Sequence, residues 1–240
     1  LYIGKIMKKI ILSIALMLLF GFKANAEVGV KAGISLAAGV FSVDGASEKF
    51  TGSHSSGTAV GDVTKKASAE GEDEEGLFGI GSLFVEKSLG DKFSVGLDYV
   101  PYALESETTE NTQTTFNTTH GAVLTEVTNS VSVDFEDLTT LYGMINVNEN
   151  VYIKAGFMQV DVITNDKLNT GSTYGNTTLD GTMFAVGYAT DLDNGAFVRL
   201  EGSFMEFDGA TLTSQVDSAK SVSVDGIDGY GAKLSIGKSF

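Results

Sequence analysis

The chain has 240 residues, with 31 Asp plus Glu against 16 Lys plus Arg, 29 Gly, one Pro and no Cys. Without Cys there is no disulfide framework, thiol catalysis or zinc-thiolate site, and a net charge of −15 argues against a nucleic acid as partner. A chain this rich in Gly and poor in Pro suits one β-rich domain.

From Met7 the sequence runs Met7-Lys8-Lys9, an apolar stretch from Ile10 to Phe22, then Lys23-Ala24-Asn25-Ala26. These are the basic, hydrophobic and small-x-small parts of a signal peptide, with cleavage expected after Ala26. Leu1 to Ile6 read as upstream sequence, so residues 1–26 form the removed segment and 27–240 the mature domain. The apolar run falls short of the ~20 residues of a membrane-spanning helix. Removal of Lys5, Lys8, Lys9 and Lys23 leaves 12 basic residues against 31 acidic ones, a charge of −19.

Period-2 alternation recurs along the mature chain, which predicts strands. In the first, Val28, Val30, Ala32, Ile34, Leu36, Ala38 and Val40 share one face, with Lys31, Gly33, Ser35 and Gly39 on the other. A second spans about Leu77 to Lys87 with ambiguous facing, because Phe78, Ile80 and Phe84 oppose Leu77, Leu83 and Val85. The third sets Phe93, Val95, Leu97 and Tyr99 against Ser94, Gly96 and Asp98. Further strands are expected over Val133–Val147, Val151–Ile163, Gly181–Thr190, Ala196–Phe207 and Ile227–Phe240, about eight in all.

Connections alternate between short and long. Ser88–Asp91, Asn148–Asn150 and Asp191–Gly195 carry turn chemistry, while Gly45–Gly76, Glu105–Ser132, Thr164–Asp180 and Asp208–Gly226 are long, polar and rich in Thr, Ser, Asn and acids. Tight turns on one rim and extended loops on the other are the layout of a closed, antiparallel up-and-down barrel in an outer membrane. The single Pro, Pro101, falls at the loop end of its strand, where pairing can loosen.

On this architecture and its terminal strand, residues 27–240 resemble the small outer-membrane barrel family typified by the OmpA transmembrane domain and its porin-family relatives. In that family an aromatic C-terminus preceded by alternating apolar residues is read by the outer-membrane assembly machinery. Tyr230, Ala232, Leu234, Ile236 and Phe240 match that pattern, and Lys238 departs from it as a residue able to snorkel to water. The resemblance implies an outer-membrane location in a Gram-negative envelope, with lipids and lipopolysaccharide as surroundings.

A soluble β-sandwich also alternates apolar and polar faces. The polar face separates the two, being mostly Gly, Ser and Ala with isolated charges, as fits a narrow lumen. Lys31, Asp98, Lys154, Arg199, Glu201 and Lys233 lie on it. Unpaired ions away from water cost several kcal/mol, so these six are expected to form a lumenal ion-pair network centred on Arg199, whose fork can hold two carboxylates. Aromatics are expected at the two membrane rims: Phe93, Phe197 and Phe240 by the short turns, Tyr99, Tyr102, Phe157, Phe204 and Phe207 by the long loops.

Catalysis is not expected. The two histidines, His54 in Ser53-His54-Ser55-Ser56 and His120 in Thr118-Thr119-His120-Gly121, sit in loop sequence without a residue to hold them against a nucleophile. The acidic run Glu70–Glu75 lacks the spacing of a calcium loop and reads as a solvated segment rather than a metal site. Asn117-Thr118-Thr119 matches a glycosylation sequon in a Thr-rich loop. No cofactor is implied. The sequence therefore predicts a non-enzymatic surface or structural barrel, with a narrow passive porin as the alternative and a lipid A-modifying enzyme behind both.

Overall fold

The computed structural model describes residues 29–44, 47–50, 63–66, 74–106, 108–117, 123–168 and 173–240. His54, His120, residues 70–73 of the acidic run, Thr118, Thr119 and the segment ending at Ala26 lie outside them. The strands are β1 (Val30–Asp44), β2 (Ser47–Phe50), β3 (Val63–Lys66), β4 (Glu74–Leu89), β5 (Phe93–Tyr99), β6 (Leu104–Glu105), β7 (Thr109–Asn117), β8 (Val123–Asn146), β9 (Val151–Leu168), β10 (Thr177–Asp191), β11 (Ala196–Thr213) and β12 (Lys220–Ser239).

Eight of them close on themselves. The order is β1-β4-β5-β8-β9-β10-β11-β12, and β12 pairs antiparallel with β1 from Lys31↔Ser239 to Asp44↔Gly226. Val30 and Phe240 complete the seam with reciprocal backbone hydrogen bonds. Closure leaves no unpaired edge through this ring, the condition for a sheet to stand in lipid. The tight turns follow from local chemistry: Gly90, Asn194 and Gly195 have positive φ values of 76°, 66° and 75°, and the Asn148 side chain accepts from the Asn150 and Val151 amides.

Alternation assigns the faces. Ile34, Leu36, Phe93, Phe157, Tyr188, Leu200, Tyr230, Leu234, Ile236 and Phe240 point outward and are exposed, while Ser35, Ser82, Glu86, Asp98, Lys154, Arg199, Glu201 and Ser235 are buried inside. An exterior of exposed Leu, Ile, Val and aromatic residues around an ionic interior inverts the arrangement of a water-soluble domain. The ambiguous strand β4 resolves with Phe78, Phe84 and Glu86 inward and Leu77 and Leu83 outward.

Inward aromatics have a simple cause. Phe84, Tyr142, Tyr152 and Phe197 have Gly33, Gly96, Gly187 and Gly237 as direct register partners on adjacent strands. Each ring occupies the space a Cβ would take on its glycine. A narrow bore can hold large rings only where the neighbouring strand has no side chain.

Two expectations about rim aromatics are corrected by this packing. Phe197 is buried in the lumen, held there by Gly237. Phe207 points inward with Val160, Val162 and Leu179, because its parity matches inward Met205, which packs with Met158 and Met183. The loop-side half of the interior is thus apolar, where Gly, Ser and isolated charges were expected throughout. Strand lengths are also corrected. Much of the polar sequence expected in loops extends β8 to β12 instead, with side chains bonded across the strands: Thr178 to Asp161 at 2.8 Å, Asn165 to Asp134 at 2.7 Å, and Thr211 with Ser223 at 2.9 Å.

Candidate functional site

The half of the lumen nearest the tight turns holds the concentrated chemistry. From β11, Arg199 reaches Glu86 on β4 and donates from both terminal nitrogens, at 2.8 and 2.9 Å to its two oxygens. Tyr142 on β8 donates its hydroxyl to the same carboxylate at 3.2 Å. The Arg199 guanidinium also lies 4.6 Å from the Phe197 ring centre and 5.6 Å from that of Tyr152, where aromatic faces add attraction for a desolvated cation. Glu86 is 0% exposed.

A second pair joins Lys154 on β9 to Glu201 on β11 at 2.6 Å. Tyr152 donates its hydroxyl to Glu201 at 3.0 Å, and the Lys154 ammonium lies 4.6 Å from the centre of the Tyr142 ring. The third runs from Lys233 on β12 to Asp98 on β5 at 3.0 Å. None of the three joins neighbouring strands. Arg199–Glu86 and Lys233–Asp98 cross the bore between strands with two others between them, and Lys154–Glu201 reaches past β10, so the side chains themselves fill the interior.

Of the six residues singled out from the sequence, five enter these pairs. Lys31 faces inward near Glu86, its register partner, and places its ammonium 5.4 Å from the centre of the Phe197 ring. Arg199 is the centre of one pair but does not hold two carboxylates: both its terminal nitrogens go to Glu86, while Glu201 serves Lys154. Glu86 was missed because the facing of β4 was ambiguous. Its parity with Phe84, once that ring is set over Gly33, places it inside.

Tyr230, Leu234 and Ile236 on β12 and Phe240 directly after it are all exposed on the outside. Among the described residues, no group of three or more acidic or His side chains is arranged to hold a metal.

An ion-filled bore inside an apolar wall defines the class, an eight-stranded β-barrel of the outer-membrane type. No protein-family model and no curated protein matches the chain. Solved structures to which it is similar include three outer-membrane barrels. The attachment invasion locus protein Ail of Yersinia pestis is 11% identical, with 88% of this chain and 99% of that one covered and a TM-score of 0.36. The outer membrane protein AlkL, determined in lipid bilayers, is 12% identical over 91% and 93% of the two chains at 0.44. The outer membrane protease OmpT of Escherichia coli is 12% identical over 91% and 99% at 0.38. Overlaps of this extent carry no functional argument, so the assignment of class rests on the strand pairing and the two faces.

Proposed function

We propose that this is an integral outer-membrane barrel with a structural or surface-interaction role, its membrane portion closed to solutes and its extended, acidic strands and loops presented outside. The observation that carries this reading is the set of cross-lumen pairs Arg199–Glu86, Lys154–Glu201 and Lys233–Asp98, with Tyr142, Tyr152, Phe84 and Phe197 packed among them. A permeating solute would have to displace buried charges from their partners, at several kcal/mol per ion. Eight strands enclose space for side chains and little else.

A passive pore is the competing reading, and planar-bilayer recording separates the two. The closed barrel gives a baseline without steady conductance, and steady, voltage-independent openings would establish the pore. The outer-membrane location and the export signal ahead of residue 27 are tested by fractionation of the full chain. It is expected in the detergent-extracted outer membrane with its N-terminus at Glu27, and to migrate differently in gels when unheated.

A further inference from the structure

The ladder between β4 and β5 is short. It runs only from Leu83↔Tyr99 to Leu89↔Phe93, whereas β4 stays paired with β1 as far as Glu74. Continued by two residues, the β4–β5 register would set Gly81 against Pro101, which has no N–H to give. The Gly81 N–H goes to the Tyr102 hydroxyl instead. The Val100 amide turns to Leu138 on β8 at 2.9 Å, and the chain goes on as β6 and β7 along β8. Beyond Gly81, β4 is left with one bare edge.

The pairing shows which groups line that edge. Ser88 donates its amide to Gly29 on the β1 side, and backbone groups alternate sides along a strand, so even-numbered residues of β4 bond to β1 and odd-numbered ones face away from it. Gly79, Leu77 and Glu75 therefore turn their N–H and C=O groups into the gap left by β5, and among the described residues nothing bonds to them there. Gly79 lies ten residues from the end of β4 at Leu89, and a tilted strand crosses a bilayer in about 9–11. In the membrane reading above, on which this inference rests, the edge begins where the lipid ends and water solvates it when bare.

Donors and acceptors repeating every ~7 Å along a line are matched by an extended backbone. The chain's own continuation is committed to β8, and a second copy would bring up another chain of net charge −15. Leu77 is 83% exposed. Glu75 is exposed as well and has no base paired to it among the described residues. A strand added in register would meet Leu77 with an apolar residue and Glu75, two positions on, with Lys or Arg.

We propose that the bare edge of β4 takes an extended, basic segment of another protein as an added antiparallel strand outside the lipid. The backbone ladder supplies the hold, and Leu77 and Glu75 select the sequence.

The full chain in lipid nanodiscs, titrated with a fluorescein-labelled nine-residue peptide of alternating Thr and Val with one Arg placed to face Glu75, tests this by fluorescence anisotropy. One peptide is expected per barrel. Gly79→Pro removes a donor that points away from β1, so every β1–β4 bond is kept. A Cβ at this position meets nothing within 4 Å, so the variant is expected to fold, as judged by unheated gel mobility, and to bind about tenfold more weakly. The same peptide N-methylated at the residues that bond to β4 is expected to lose about tenfold on the wild-type barrel, a measurement that depends on no variant folding. Glu75→Lys is expected to reverse the preference from the Arg peptide to one with Glu in its place. Equal binding of the N-methylated peptide, equal binding by a folded Gly79→Pro barrel, or no binding by the wild type overturns the proposal. So does a wild-type dimer that Gly79→Pro makes monomeric, which assigns the edge to a second copy. A wild-type chain that stays soluble without detergent sinks the membrane reading itself, whereas a membrane-embedded barrel that leaves the peptide unbound removes only the edge.

Discussion

Replacing Glu86 with Gln tests whether the lumen is held by its ion pairs or merely filled by them. The substitution keeps the shape and one acceptor but leaves Arg199, 6% exposed, without a counter-charge. Breaking a buried pair from one side costs about 3–5 kcal/mol. The rings of Phe197, Tyr152 and Phe84, at 4.6, 5.6 and 5.8 Å from the guanidinium, remain in place and recover about 1–2 kcal/mol of that. A net loss of about 3 kcal/mol is therefore expected. Removing Arg199 as well, as Arg199→Gln, leaves no buried charge without a partner at this site, so the double variant is expected to be more stable than Glu86→Gln alone. The chain has no Trp, so urea unfolding from lipid vesicles is best followed by circular dichroism and unheated gel mobility. A coupling energy under about 0.5 kcal/mol, or a Glu86→Gln cost no greater than that of Asp98→Asn in the single-bonded pair, would refute the reasoning.

Other outcomes follow from the packing. Gly187→Ala drives a Cβ into the Tyr152 ring and is expected to cost about 1–3 kcal/mol; Gly202→Ala, which meets open space, is expected to stay within about 0.5 kcal/mol of wild type in the same unfolding assay. Leu234→Arg places a charge on the outward wall of β12 and is expected to destabilise the vesicle-embedded barrel by about 2–4 kcal/mol, whereas a soluble domain would tolerate it at an exposed position. Phe240→Ala, which keeps the backbone hydrogen bonds to Val30, is expected to lower the amount of barrel in the outer membrane fraction while leaving refolding into detergent intact, since that side chain is 76% exposed.

The antiparallel strands, their tight turns and the facing of β1, β5 and β12 were legible in the sequence, because period-2 alternation marks a strand and assigns its faces and turn residues mark the short connections. Lumenal contents were less so. A period assigns a side chain to a face but says nothing of what stands opposite, and the inward rings depend on glycines tens of residues away, as Phe84 does on Gly33 and Tyr152 on Gly187. Glu86 was hidden for that reason. Once the facing of β4 was settled, Arg199 had a carboxylate within reach across the bore, a relation that no local pattern contains. The strand ends were misjudged on other grounds. Thr, Ser and Asn were read as loop residues, yet pairs such as Thr211 with Ser223 hold a sheet together in water.

The length of those strands has a mechanical result. A tilted strand crosses a bilayer in about 9–11 residues, and β12 runs from Lys220 to Ser239, so in a barrel embedded as proposed roughly half of it would rise above the lipid by ~20 Å. In the membrane reading proposed above, the tips of β8, β9, β11 and β12 stand on a hydrogen-bonded pedestal clear of the headgroups. Whatever touches them from outside can do so at a set height, without having to approach the bilayer itself.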